Sequence, residues 1–426
     1  MKKTFLLALL LGGGAVPASA ETVVVTAGRM IDVLAGRVVE EPVVVITNGR
    51  IVSVVGRNGG RPNIPAGAKR IDLPGKTILP GLIDMHVHLT SLAEIGGYRG
   101  FQYTDSFWSA VGAANAQKTL RAGFTTVRNV GADQFQDVGL REAVDGGWLE
   151  GPRIVTAGYA IGATGGHCDS NMLPPSYDRK EMGVIDSPGD ARAKVRWLHK
   201  YGAQVIKICA TGGVFSLGDT VGGQQLTVEE MKAIADEAHM LGLKVAAHAH
   251  GDEGIRAAIE AGIDTIEHCS LASDATLRLA AQRGTWFDMD IYNDDYILAT
   301  GTANGTEQES LDKEKLIGLK QRQTFQRAVR AGVPLLFGTD AGVYPHGDNG
   351  RQFAKMVEWG MTPMQAIQAA TRSGAQALGR EADVGAIAVG RYGDIIAVDG
   401  DPLKNVRELE DVDVVIKGGE LIKNQG

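Results

Sequence analysis

Apolar and polar positions alternate in two different rhythms along the chain. From Glu21 to about Asp72, and again after about residue 385, apolar runs are short and bounded by turn residues. They are Val23–Thr26, Val43–Thr47 and Ile51–Val55 at one end, and Ile395–Val398, Val412–Lys417 and Glu420–Ile422 at the other. Such runs predict strands. Asn48-Gly49 lies between two of them, and a two-residue hairpin turn there needs positive φ at both positions. Residues 21–75 and 385–426 are therefore expected to build one small β-sandwich from both termini. Between them, short apolar runs alternate with longer segments of 3.6-residue period, the rhythm of βα units. The expected strands are Thr77–Ile83, Phe124–Arg128, Arg153–Ala157, Gln204–Ile208, Lys244–Ala247, Thr265–Glu267, Thr285–Asp288 and Leu335–Gly338. Thr227–Leu241 is the clearest helix, with Thr227 as its cap and Glu229 and Glu230 in its first turn. Eight strands predict an α/β chain with a (β/α)₈ TIM-like barrel over residues 76–384; a doubly wound open sheet is the alternative.

The first residues read differently again. Lys2-Lys3, an apolar stretch from Phe5 to Leu11, and Pro17-Ala18-Ser19-Ala20 form the three parts of a secretory leader, residues 1–20, cut after Ala20. The protein is thus expected outside the cytoplasm, secreted or periplasmic, with no membrane span. The formal charge is −7, and removing Lys2 and Lys3 leaves −9 with no basic block, which argues against nucleic acid as a partner. Cys168, Cys209 and Cys269 form no C-x-x-C pair and suggest no disulfide framework. They read as small buried residues near the site, with bonding between them left open.

Polar residues fall at the ends of the strand runs, and that is where the chemistry lies. In a parallel barrel these ends face one shared bowl. His86 and His88 follow Leu79–Ile83 and, two apart on a strand, point the same way and grip one metal. Lys207 stands inside Val205–Ile208, where a bare ammonium is costly to bury. Carbamylation by carbon dioxide would turn it into a bridging carboxylate. His248 and His268 each end an apolar run as neutral imidazole ligands. His250 competes with His248, which is preferred as the first polar residue after its strand. Asp340 ends the last strand, where it binds metal and takes the proton of attacking water.

Together, the Pro80–His88 stretch P-G-L-I-D-M-H-V-H, Lys207, His248, His268 and Asp340 in G-T-D-A resemble the binuclear amidohydrolase superfamily, in order and over nearly the whole chain. The runs Val205–Val214 and Ala246–Gly251 are similar to its branch of Xaa-Pro and Xaa-Arg dipeptidases and ochratoxin-hydrolysing enzymes. The resemblance implies two divalent ions, zinc by ligand type. His86, His88 and Asp340 would hold one, His248 and His268 the other, and carbamylated Lys207 would bridge them. It also implies that His167 contacts the scissile carbonyl or its oxyanion. The implied substrate is a small amide with a free α-carboxylate: a dipeptide, an N-acyl amino acid or an ochratoxin-like conjugate. A cyclic amide or imidazolone is the alternative, disfavoured by Lys207. Tyr292, Tyr296, His346 and His250 are candidate substrate contacts, Arg128 a structural partner of a carboxylate below the site, and a homo-oligomer the expected assembly.

Overall fold

A computed structural model describes residues 21–425; the expected leader, residues 1–20, lies outside them. Both termini share one eight-stranded hydrogen-bonded sheet. Its order is Glu420–Asn424, Val414–Lys417, Ile395–Val398, Lys69–Pro80, Thr22–Asp32, Val43–Thr47, Arg50–Val55, with Arg37–Glu40 added on Thr22–Asp32. Val23, Val44, Ile46, Ile51, Ile78, Ile395 and Ile416 pack together as its apolar core. The hairpin at Asn48-Gly49 forms as expected, with φ of 50° and 79°. Arg37–Glu40 was not expected from the sequence, because four largely exposed residues carry no apolar signal.

The run Thr77–Ile83 is not one strand. Thr77–Pro80 pairs with Ile395–Val398 in the terminal sheet, and the chain then passes at Gly81 into a parallel sheet. The chain therefore leaves the terminal sheet and enters the parallel sheet at residue 81. Gly81 N–H donates to the Asp394 carbonyl at 2.9 Å. A Cβ at this crossing would stand 2.1 Å from Thr125 Oγ1, so only glycine fits.

Eight parallel strands follow: β1 (Leu82–Val87), β2 (Phe124–Asn129), β3 (Arg153–Thr156), β4 (Val205–Cys209), β5 (Lys244–Ala249), β6 (Thr265–His268), β7 (Trp286–Asp288) and β8 (Leu335–Leu336). They form a sheet of β1–β2–β3 and another of β4 to β8 in sequence order, every pairing parallel. Hydrogen bonds also cross both seams. Gln204 N–H reaches the Thr156 carbonyl at 2.7 Å, and Ile161 N–H the Lys207 carbonyl at 2.8 Å. On the other side Met85 N–H reaches Phe337 O at 2.9 Å and His88 N–H reaches Ala341 O at 2.8 Å. The connecting helices bury their apolar faces against these strands in one continuous core. The expected helix runs Val228–Met240, and Thr227 and Glu230 cap it reciprocally, satisfying two backbone N–H groups that the helix leaves open. No helix among the described residues is long and apolar enough to cross a membrane.

Gly81→Ala should lower stability by about 1–3 kcal/mol through overpacking, seen as a lower urea midpoint. Adding Thr125→Ala, which removes the Oγ1 and Cγ2 that meet the new methyl, should recover part of it. An unchanged midpoint for the single variant would show that the crossing has room.

Candidate active site

The C-terminal ends of the parallel strands gather six of the chain's nine histidines around one cavity of about 830 Å³. His86, His88, His167, Lys207, His248, His250, His268 and Asp340 all line it. Two groups of potential ligand atoms stand out, each with its atoms within 4.8 Å of one another: His86, His88 and Asp340, and His248, His250 and His268. Asp340 Oδ1 lies 3.4 Å from His86 Nε2 and 3.3 Å from His88 Nε2. Asp340 and His268 hold positive φ, of 56° and 68°. Such backbone is uncommon for these residues and concentrates at functional sites.

Hydrogen bonds behind the rings decide which nitrogens face the cavity. His86 Nδ1 donates to Glu267 Oε2 at 2.9 Å, and His268 Nδ1 donates to Asp290 Oδ1 at 2.8 Å. A carboxylate only accepts, so each ring carries its hydrogen on Nδ1 and turns a lone pair at Nε2 to the cavity. His250 Nδ1 is bound to Ser270 Oγ at 2.8 Å. His248 Nε2 and Asp340 Oδ1 are buried and have no hydrogen-bond partner. Unpartnered buried polar atoms are costly, and a cation between these two groups would satisfy both. The donor set of imidazole and carboxylate is one that zinc accepts. His248, with its free Nε2, fits a ligand role better than His250.

Charge supports the same reading. Burial, with the nearby Lys207 charge, pushes the His86 imidazole down to about 4. Burial likewise holds His248 and His250 well below the ordinary range. Burial raises the Asp340 carboxyl, but His86, His88 and His268 outweigh it and hold it low. Lys207 is 4% exposed, and its ammonium makes no hydrogen bond or ion pair with a described residue. Burial lowers its pKa, opposed by the charges of Glu267 and Asp340.

Arg128, 1% exposed, lies beneath the bowl. It donates to both oxygens of Glu267 at 2.9 Å and to Thr265 Oγ1 at 2.8 Å, and stands 3.4 Å from Asp288 Oδ2. Burial and the Glu267 charge push Asp288 up, while the charges of Arg128 and His86 outweigh burial and hold Glu267 low.

Some expected residues lie elsewhere. His346 is not on the cavity wall: its Nδ1 binds Thr119 Oγ1 at 2.9 Å and its Nε2 the His88 carbonyl at 3.1 Å, so it props the strand end from behind. Tyr292 packs on the buried Tyr344 with ring centroids 5.0 Å apart and also lies off the wall, whereas Tyr296 lines it. Cys168 and Cys209 are joined in a disulfide, and Cys269 is free and buried. The pairing was hidden by 41 residues of separation and by the absence of any local motif. Glu267, Asp288 and Asp290 carry functions the sequence reading did not assign, although E-H at 267–268 and D-M-D at 288–290 mark acids at strand ends. Arg179, a loop residue on the cavity wall paired with Glu181 at 3.0 Å, carried no pattern at all.

Comparison with known proteins agrees with this geometry. Ochratoxinase of Aspergillus niger is 30% identical over 377 residues, which cover 82% of this chain and 76% of that protein. The crystal structure of a Xaa-Pro dipeptidase with bound methionine in the active site superposes with a TM-score of 0.89 at 36% identity, over 94% of this chain and 99% of its own. A prolidase complexed with N-methylphosphonate-L-proline gives 0.86 at 31% identity, over 95% of this chain and 100% of its own. The amidohydrolase family profile matches residues 77–422, from the end of the long strand that leads into Gly81 to the last strand of the terminal sheet. On that match and these relatives, the chain belongs to the amidohydrolase family and is a hydrolytic enzyme acting on amide bonds.

Proposed function

We propose that the enzyme holds two divalent ions, zinc by donor type, and hydrolyses a small amide that carries a free α-carboxylate: a dipeptide, an N-acyl amino acid or an ochratoxin-like conjugate. The observation that carries the reading is the pair of ligand groups whose lone pairs converge with His248 Nε2 and Asp340 Oδ1 unpartnered. His86, His88 and Asp340 would hold one ion and His248 and His268 the other. Lys207 would join them as a carbamate. Its buried amine, once deprotonated, adds to carbon dioxide with loss of a further proton, so that an anionic group of two oxygens replaces the ammonium. The seam hydrogen bonds support closure of the eight strands into a barrel, 76–384 in outline. The shared apolar core of the terminal strands supports a sandwich over 21–75 and 385–426.

When bound, the ions supply Lewis acidity toward the attacking water and the amide carbonyl. The chain's own groups do the rest. Asp340, held ionised by three imidazoles, takes a proton from the water and gives it to the departing nitrogen. Glu267 and Asp290 fix the rings of His86 and His268. Tyr296 and Arg179 are the wall groups suited to a carboxylate, and an arginine offers it two parallel N–H donors. Two relatives support this choice, a Xaa-Pro dipeptidase and a prolidase complexed with a proline derivative. Export, with cleavage after Ala20, is supported by the Cys168–Cys209 disulfide, since such bonds persist in oxidising compartments. A homo-oligomer remains part of the proposal.

Elemental analysis of active enzyme should find close to two divalent ions per chain, and one or none would overturn the binuclear reading. Lys207→Ala should abolish most turnover, with partial rescue by short carboxylic acids that replace the lost bridge. Asp340→Asn should keep much of the metal yet lose about 100-fold or more in kcat, within the usual range for acid–base catalysis. Turnover near the wild-type rate would remove Asp340 from the proton path. A peptide with a free C-terminus should exceed its C-terminal amide by about tenfold or more in kcat/KM, the worth of one or two charge-assisted hydrogen bonds. Equal rates on both would sink the carboxylate reading and leave the hydrolase intact.

A further inference from the structure

A second cavity, of about 430 Å³, lies at the end of the parallel strands opposite the active site. It opens between the N-terminal ends of β3 and β4 and the segment that leads into the terminal strand Ile395–Val398. Arg141, Arg153 and Arg380 line it, against one acid, Asp145. None of the four takes part in the hydrolysis above.

A guanidinium carries five N–H donors and no acceptor. Arg141 gives Nη1 to the Gly202 carbonyl at 2.7 Å and to Thr156 Oγ1 at 3.1 Å, and its Nη2 stands 3.8 Å from Glu142, beyond bonding reach. Arg153 spends Nε and Nη2 on the two oxygens of Asp394, at 3.2 and 3.1 Å, and keeps Nη1. The Arg380 guanidinium, 31% exposed, comes no nearer than 3.6 Å to Asp383 Oδ2, and the other oxygen of Asp383 is taken by Arg50 at 2.7 Å. Tyr392, also on the wall, has no face to offer it. Arg50 and Arg153 each place their central carbon 3.7 Å from the ring centre, and two guanidinium groups that close need opposite faces. Burial, with the Arg153 charge, also lowers the pKa of the adjacent Lys417. Positive charge is in excess around the cavity, and its arginines hold donors that no protein acceptor meets.

Water would satisfy those donors without relieving the repulsion, whereas an anion does both. Guanidinium groups suit oxyanions, which accept their parallel N–H donors. Asp145 narrows the choice. A carboxylate only accepts, so it repels an anion without a hydrogen, such as sulfate, and bonds one that carries an O–H. Near neutral pH inorganic phosphate keeps at least one hydrogen, while a phosphate monoester has largely lost its own.

We propose that this cavity binds inorganic phosphate, with Arg380, Arg141 and Arg153 donating to its oxygens and Asp145 accepting its remaining hydrogen. The bound anion ties Arg141 and Arg153 on the parallel-strand side to Arg380 on the way into the terminal sheet, and so stabilises the joint between the two layers. The site stands apart from the hydrolytic reading and does not depend on it.

The test is calorimetric titration of the metal-loaded enzyme with inorganic phosphate near neutral pH, beside sulfate and glycerol phosphate at equal ionic strength. Wild type should take one phosphate per chain and bind the other two anions about tenfold or more weakly. Arg380→Gln should weaken phosphate about tenfold or more, the worth of one or two charge-assisted hydrogen bonds, with kcat and KM unchanged. Asp145→Asn, whose amide can donate, should lose the preference for phosphate over sulfate. Phosphate held at the metal site instead would compete with substrate and bind Arg380→Gln as well as wild type, and that result overturns the proposal. So does a wild type that binds no phosphate, or one that binds sulfate equally. If Arg380→Gln does not fold, Arg380→Lys, which keeps the charge and loses the fork, must weaken phosphate too, and the wild-type selectivity decides on its own.

Discussion

The buried pairing of Arg128 with Glu267 is the constraint on which the active site rests. A guanidinium that is 1% exposed is tolerable only with its donors satisfied and its charge matched. Here it draws together the Met85 carbonyl on β1, Thr265 and Glu267 on β6, and Asp288 on β7. Glu267 also accepts from Thr265 Oγ1 and from His86 Nδ1. One cation beneath the bowl therefore fixes the spacing of three strand ends and, through a single carboxylate, the ring direction of a ligand above it. Replacing either partner would leave an uncompensated charge in the interior and free the His86 ring to turn.

The same logic of proton direction recurs around the bowl. Glu267 and Asp290 each take an Nδ1 hydrogen, and Ser270 Oγ binds the Nδ1 of His250. Behind His167 stands Ser216 Oγ, which also lies within reach of Asp219. Five carboxylates thus play distinct parts within a few side chains of each other. Asp340 faces the cavity, Glu267 and Asp290 aim rings, Asp288 is pushed up by burial beside Glu267, and Asp219 binds a serine hydroxyl. Environment separates them: burial and the neighbouring Glu267 charge drive Asp288 up even beside Arg128, whereas the charges of Arg128 and the nearby imidazoles outweigh burial and hold Glu267 and Asp340 down.

Much of this was legible in the sequence because strand ends have a strong signature. Apolar runs stopped at His86, Lys207, His248, His268 and Asp340, and the structure brings those five to one cavity. The asparagine–glycine hairpin and the capped helix at Thr227 were equally plain, because their backbone chemistry is local. What failed was whatever depends on the third dimension. The apolar run Thr77–Ile83 is continuous in sequence yet serves two sheets, and only the proximity of Thr125 reveals why Gly81 must divide it. His346 and Tyr292 sit in the loops that ring the bowl, but sequence position does not say which way a loop side chain points. Arg179 and the Cys168–Cys209 pair have no periodic context, so nothing along the chain marked them out.

The sheet that joins the two ends of the chain also dictates an order of assembly. Lys69–Pro80 has Thr22–Asp32 on one side and Ile395–Val398 on the other, and that second neighbour lies more than 300 residues away in sequence. A chain emerging from its N-terminus must carry an open strand edge, with Ile78 and Leu79 on it, through synthesis of the whole α/β region. Any cell making this protein has to guard that edge until the last thirty or so residues arrive, and a ribosome that stalls or a protease that trims the tail releases a chain with a ready template for pairing with its own copies.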